Sequence, residues 1–197
     1  MKLQDLTIKQ FLEKTASDEA MPAGGSTIAL CAALSAAISE MVAKLTLGKA
    51  KYANAEERMR EIGIELEKSR LLLMNDIDRD AESFQVVLDA YQLPKVSENE
   101  IDVRNRKIEN ALKNATLLQM EVAEKCHALF DLISEVSNLV EGGLAADGKV
   151  SLMICITSAK GAILNVKTNL NQINDIVFKR EVIAKCDKIE KDIDNKL

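Results

Sequence analysis

Three groups of residues in this chain have the types and spacing to do chemistry. The first is Asp80. Leu66, Leu73, Ile77, Phe84, Val87 and Tyr91 mark one apolar seam in steps of three and four, and Asp80 falls on the next step after Ile77. Such steps mark the seam of a packed helix pair. A carboxylate on that seam must be hydrogen-bonded, paired or facing water, because burying it alone is costly. With Asp76 and Arg79 close by, one reading is a buried acid–base pair that fixes register. The other is a carboxylate facing a cleft, with its proton available for acid–base work. The second group is a small, polar stripe of Ser151, Cys155, Ser158, Ala162, Asn165 and Asn169. Asn165 and Asn169, four apart, can point two amides into one gap, either to bond a neighbouring helix or to hold a ligand. The third is Pro22-Ala23-Gly24-Gly25-Ser26, just before a helix of small residues. It reads as a tight turn with Ser26 as cap, or as free N–H groups at a positive helix end that suit an anion. Lesser candidates are Lys49, Lys51 and Tyr52 past the end of that helix, Lys95 after Pro94, and Asp147, which can cap a later helix.

These groups need elements to position them, and the composition points to helices. Nearly half the residues are apolar, Trp is absent, and the two prolines fall between periodic segments. Alternating β-branched runs are missing, so the chain reads as all-helical. We expect helices over about 7–17, 26–47, 54–91, 97–140, 150–170 and 173–194. Gly48 ends the second, and Ser97-Glu98-Asn99-Glu100 is a capping box for the fourth. Long helices with short breaks predict an elongated up-and-down bundle of about six helices, one domain over residues 1–197. The slim second helix, rich in Ala, should pack on the small face of the fifth. A long thin bundle leaves apolar surface uncovered, so a homodimer is expected.

Other classes are disfavoured. The formal charge is −5 without a basic block, which argues against nucleic acid. The apolar stretch from Thr27 to Ile38 is too short to span a bilayer, and no signal peptide is read at the N-terminus. Cys31, Cys126, Cys155 and Cys186 are far apart and read as buried thiols in a reducing cytoplasm. A single histidine, His127, gives a metal site or a His-based triad little to draw on.

In order and spacing these segments resemble the formimidoyltetrahydrofolate cyclodeaminase / methenyltetrahydrofolate cyclohydrolase family. The resemblance runs nearly the full length. It covers Phe11-Leu12, Pro22 to Ser26, Glu40 to Thr46, Gly48 to Tyr52, Asp80 to Phe84, Tyr91 to Lys95, Gly161-Ala162, Asn165-Val166 and Asn169-Leu170. Ala23 stands in place of the family's first glycine, Gln119 where proline is frequent, and only Asp147 survives of the family's loop pattern before the fifth helix.

The resemblance implies an all-α homodimer and a folate held in a cleft, with no cofactor beyond the tetrahydrofolate substrate and no metal. The activity it implies first is hydrolysis of 5,10-methenyltetrahydrofolate to 10-formyltetrahydrofolate. The alternative is cyclodeamination of formimidoyltetrahydrofolate, with release of ammonia; fusion to a formiminotransferase domain would favour it. A third reading is a helical scaffold that has lost activity. On the first, Asp80 stabilises the cation or activates water and Asp147 assists proton transfer. Asn165 and Asn169 orient substrate or water, and Gly24, Gly25 and Ser26 bind it through backbone N–H groups. Lys51, Tyr52 and Lys95 attract the glutamate tail, and Phe84 lines the cleft.

Overall fold

The computed structural model describes residues 1–196, and among them every regular element is helical. Six α-helices follow in order: α1 Ile8–Thr15, α2 Gly24–Thr46, α3 Glu56–Tyr91, α4 Glu98–Leu139, α5 Gly143–Leu170 and α6 Ile176–Asn195. Short 3-10 turns occupy Leu3–Asp5 and Ala50–Ala55. Local chemistry sets several starts. Thr7 and Gln10 form a capping box on α1, Ser97 and Glu100 form the expected one on α4, and Asp175 caps α6.

α2, α3, α4 and α5 run alternately up and down as a four-helix bundle. α2 and α4 stand diagonally, each flanked by α3 and α5, and α6 leans on α4 and α5. One apolar core runs through all of them, from Ala36 and Val42 on α2 to Leu66, Leu129, Ile163 and Ile189. As expected, slim α2 meets the small face of α5. Ser35 and Ser39 hydroxyls reach the Ser151 hydroxyl at 3.2 and 2.7 Å, closing a buried polar knot between the two backbones. The N-terminal turn is tied to α3 by Asp78, whose carboxylate accepts the Leu3 and Gln4 N–H groups at 2.6 and 3.4 Å.

Three expectations change. Ser26 is not a cap: α2 starts at Gly24 behind Ala23, which offers no capping side chain. α5 starts at Gly143 rather than near Val150, so Asp147 lies within the helix, exposed, and does not cap it. The sequence marks a break at Asp147-Gly148, but Gly148 serves contact instead. A Cβ there would stand 2.9 Å from Ser137 Cβ, so glycine lets α5 seat closely on α4. The apolar run from Thr27 belongs to a 23-residue helix. α2 and α5 are both long and apolar enough to cross a bilayer by length and composition. Both also supply buried residues to the core, and α2 buries Ser26, Ser35, Ser39 and Glu40.

Of the cysteines, Cys126, Cys155 and Cys186 are buried free thiols and Cys31 is half-buried. His127 faces Asp192 of α6 at 3.5 Å. Among the described residues no cluster of three potential metal ligands forms.

Candidate functional site

The polar residue on the α3 seam is the centre of the site. Asp80 points from α3 toward the first turn of α2 and the middle of α4. Its Oδ2 accepts the Ser26 hydroxyl at 2.9 Å, and its Oδ1 accepts the Gln119 amide at 2.5 Å. The Ser26 backbone N–H also donates to the carboxylate. Gln119 in turn faces α5, with its Oε1 3.5 Å from Asn165 Nδ2. Four helices thus each contribute one group to a chain of bonds: Ser26, Asp80, Gln119 and Asn165.

Why the backbone can come so close is clear at Gly25. A Cβ there would lie within 2.5 Å of Asp80 Cγ and Gln119 Nε2, so any side chain would displace the carboxylate or the amide. Gly24 lies beside Asn165, with the position of its missing Cβ 3.8 Å from the Asn165 amide oxygen. The first turn of a helix leaves N–H groups unpaired within the helix. Here one of them, from Ser26, is spent on Asp80.

The partners of Asp80 are all neutral. Burial raises its pKa, and the bonds from Ser26 and Gln119 only partly offset that. The nearest charges are engaged elsewhere. Asp76 is held by Arg79 at 2.7 Å and Lys125 at 2.5 Å, and Asp78 holds the N-terminal turn. The expected Asp–Arg pair therefore exists, but at Asp76, one turn away. A half-buried carboxylate with raised proton affinity, beside an amide chain and open helix N–H groups, can take a proton from water and return it to a nitrogen.

Not all expected site residues meet here. Gly24, Gly25, Ser26, Asp80 and Asn165 converge. Phe84 and Asn169 sit one turn further along the same faces of α3 and α5; Phe84 is 37% exposed and Asn169 half-buried. The others stand apart within this chain. Asp147 is 18 residues before Asn165 on α5, roughly 27 Å along the helix axis. Lys51 and Tyr52 follow the far end of α2, roughly 30 Å from Ser26. Lys51 there pairs with Glu141 at 2.7 Å. Lys95 is exposed in the loop after α3. For Asp147, Lys51 and Tyr52 the alternating helix directions are the reason: one end of the bundle holds the start of α2, the other holds the start of α5. Gln119 is a site residue that the sequence reading does not single out. Its signal was present, since Leu112, Thr116, Gln119, Ala123, Cys126 and Phe130 step by three and four, and Gln119 breaks that seam as Asp80 breaks its own.

Comparison with known proteins identifies the family and agrees with the fold. The family described as formiminotransferase-cyclodeaminase matches residues 7–188. Methenyltetrahydrofolate cyclohydrolase of Methylorubrum extorquens is 33% identical over 175 residues, covering 89% of this chain and 84% of that protein. Formimidoyltransferase-cyclodeaminase of Mus musculus is 29% identical over 179 residues, 91% of this chain but 33% of that protein, so the chain spans about a third of that relative. The crystal structure of formiminotetrahydrofolate cyclodeaminase from Thermotoga maritima superposes with a TM-score of 0.87 at 27% identity, over 98% of this chain and 93% of that one. This chain belongs to the formiminotransferase-cyclodeaminase family.

Proposed function

We propose that this protein hydrolyses 5,10-methenyltetrahydrofolate to 10-formyltetrahydrofolate. One observation carries the reading: Asp80 is a half-buried carboxylate bonded only to neutral groups, at the mouth of a glycine-lined helix start. The similarity to the Methylorubrum cyclohydrolase supports it. The methenyl carbon is an amidinium and accepts water without a Lewis acid. Asp80 takes a proton as water adds to that carbon, forming a neutral carbinolamine. Protonated Asp80 then returns the proton to N5, the C–N5 bond breaks, and the hydroxyl proton leaves to solvent as the formyl group forms on N10. While the substrate is cationic, the anionic carboxylate also stabilises it. Asn165, steered by Gln119, orients the water or the pteridine, and the Gly24 and Gly25 N–H groups hold a pteridine oxygen. Nothing beyond the folate itself is required by this route.

The second reading is formimidoyltetrahydrofolate cyclodeamination, favoured by the likeness to the Thermotoga and Mus relatives. There N10 attacks the formimino carbon on N5, and Asp80 passes the proton from N10 to the departing ammonia. One experiment separates the two. Purified protein is given each substrate alone, and the methenyl absorbance and released ammonia are followed. Accelerated decay of methenyltetrahydrofolate without ammonia release from the formimino compound supports hydrolysis. The reverse supports cyclodeamination. Neither activity, with no folate binding, leaves the inactive scaffold.

We also read the protein as a homodimer working in the cytoplasm. Leu34, Met41 and Leu45 lie exposed on one stripe of α2, and Ile8 and Leu12 of α1 are exposed as well. Leu34 and Leu12 line, with Phe11 and Met74, an apolar groove of about 250 Å³. Exposed apolar surface of this kind marks an interaction face, and a second copy is the simplest cover. Sedimentation at micromolar concentration should give twice the chain mass; a monomer there would discard this part of the reading.

A further inference from the structure

α2 stops short of the bundle's lower end. Its first residue is level with Asp80 on α3 and Asn165 on α5, as the Ser26–Asp80 bond and the Gly24–Asn165 approach fix. α3 runs eleven residues further, to Tyr91, roughly 16 Å, and α5 five further, to Leu170. The faces of α3 and α5 that hold α2 therefore continue past it without a helix between them. Phe84 and Tyr91 lie on this stretch of α3, 37% and 41% exposed, and Asn169 on that of α5. The Tyr91 hydroxyl donates to Gln172 Oε1 at 2.8 Å, joining α3 to the turn after α5 and marking the lower end.

A cavity of about 290 Å³ opens there, sharing Tyr91 and Gln172 and holding Arg104 of α4. Arg104 differs from the other half-buried arginines, since Arg58 pairs with Glu135 and Arg79 with Asp76. Arg70 has its carboxylate, in Glu40, whereas Arg104 pairs with no acid among the described residues. It stacks on the Tyr91 ring, 5.4 Å from its centre, and gives one N–H to the Tyr91 carbonyl at 3.1 Å. Its Nε is enclosed and lacks a partner. Glu109, the acid in the same cavity, is already occupied: it accepts the Asn174 and Asp175 N–H groups at 3.2 and 3.0 Å.

We infer that Arg104 binds the glutamate carboxylate of the folate, with the aryl ring laid along Phe84 and Tyr91 and the pteridine at Asp80. This rests on the folate reading above. A folate strings pteridine, aryl ring and glutamate in one line, and the site offers a proton carrier, an aromatic wall and an unpaired guanidinium in the same order. A planar guanidinium with free N–H groups matches a carboxylate. The inference moves tail binding from Lys51 and Tyr52, at the bundle's other end, and from Lys95, in the loop after α3, to α4.

The test compares 5,10-methenyltetrahydrofolate with 5,10-methenyltetrahydropteroate, which lacks the glutamate, in wild type, Arg104→Leu and Arg104→Lys. For the glutamyl substrate, Arg104→Leu should raise KM about ten- to a hundredfold, the range of a hydrogen bond to a charged group, with kcat little changed. For the pteroate, KM should not move, and Arg104→Lys should recover part of the loss. Equal losses on both substrates would mean that Arg104 only supports Tyr91, and no loss on either would place the tail elsewhere; both outcomes overturn the inference. Wild-type protein inert toward both substrates would overturn the cyclohydrolase reading together with it.

Discussion

Asp80, half-buried, and Glu40, buried, are acids on facing helices of one bundle, yet their partners are of opposite kinds. Glu40 accepts Arg70 Nε at 2.7 Å and Lys44 Nζ at 2.5 Å. Burial pushes its pKa up, but the two cations outweigh burial and hold it below the ordinary glutamate value. Asp80 receives a hydroxyl, a backbone N–H and an amide, none charged, and burial prevails. The pair teaches how the same interior makes a brace in one place and a proton carrier in another. A cation locks a carboxylate in its charged form; neutral donors orient it and leave the proton exchangeable.

The largest expected effect comes from neutralising Asp80. Asp80→Asn keeps the shape and removes the base, so turnover should fall about a hundred- to ten-thousandfold, the usual range for general acid–base catalysis. Stability should not fall with it. A carboxyl whose pKa is raised on folding disfavours the folded state once ionised, so its cost is absent in acid and full above the folded pKa. At neutral pH the variant should melt at or above the wild-type temperature. A matched loss of melting temperature and turnover would make Asp80 a brace like Glu40. The wild-type activity should also fade as pH drops through the raised pKa of Asp80, and a rate indifferent to acid until unfolding would count against its role as base.

Gly25→Ala tests the same carboxylate without touching it. The new methyl group falls on Asp80 and Gln119. Overpacking of this kind costs about 1–3 kcal/mol, and the displaced carboxylate should lower turnover by more than the loss of folded protein explains. Activity normalised to folded protein, measured beside a denaturant melt, reads both; unchanged specific activity would show that the position of Asp80 is not critical.

Glu40→Gln should do the reverse. It leaves Arg70 with only the more distant Glu67 as charge partner, and since Arg70 and Lys44 keep contact with water the loss should be about 1–3 kcal/mol, with specific activity retained. The sign with pH also inverts relative to Asp80. A carboxyl with a lowered pKa stabilises the fold above its unfolded value and loses that contribution as pH falls through the folded one. The difference in stability between wild type and Glu40→Gln should therefore shrink in acid. A constant difference from neutral pH to pH 4 would show that packing, not charge, explains it.

How far the sequence foretold this contrast depends on the kind of signal. Helix number, order and the α4 capping box follow from periodicity and local chemistry, and so does the oddity of Asp80, because a polar residue on a seam is visible without a structure. Gln119 carried the same mark on α4. What periodicity cannot give is which cation or amide an acid meets across the bundle. Asp76, beside Asp80 in sequence, took Arg79 and Lys125, while Asp80 took neither. α5 starts earlier than the sequence predicts, because glycines that permit close packing look in sequence like glycines that break a helix. Family resemblance groups Lys51, Tyr52 and Asp147 with Asp80, although the up-and-down order of the helices already assigns them to opposite ends.

That separation leads to the smallest expected effect, at Asp147. It is exposed near the start of α5, far from Asn165, and its neighbours belong to the end that holds Lys51 and Glu141. If one chain builds the whole site, Asp147→Asn should change turnover by no more than about twofold, as exposed substitutions away from a site usually do. A tenfold or larger loss would mean that a second copy brings the start of its α5 to this Asp80. Mixing inactive Asp80→Asn with inactive Asp147→Asn protein would then restore part of the activity, because one of the two sites in a mixed pair would hold both native acids. With the small effect, the mixture gains nothing, and each Asp80 works with the groups of its own chain.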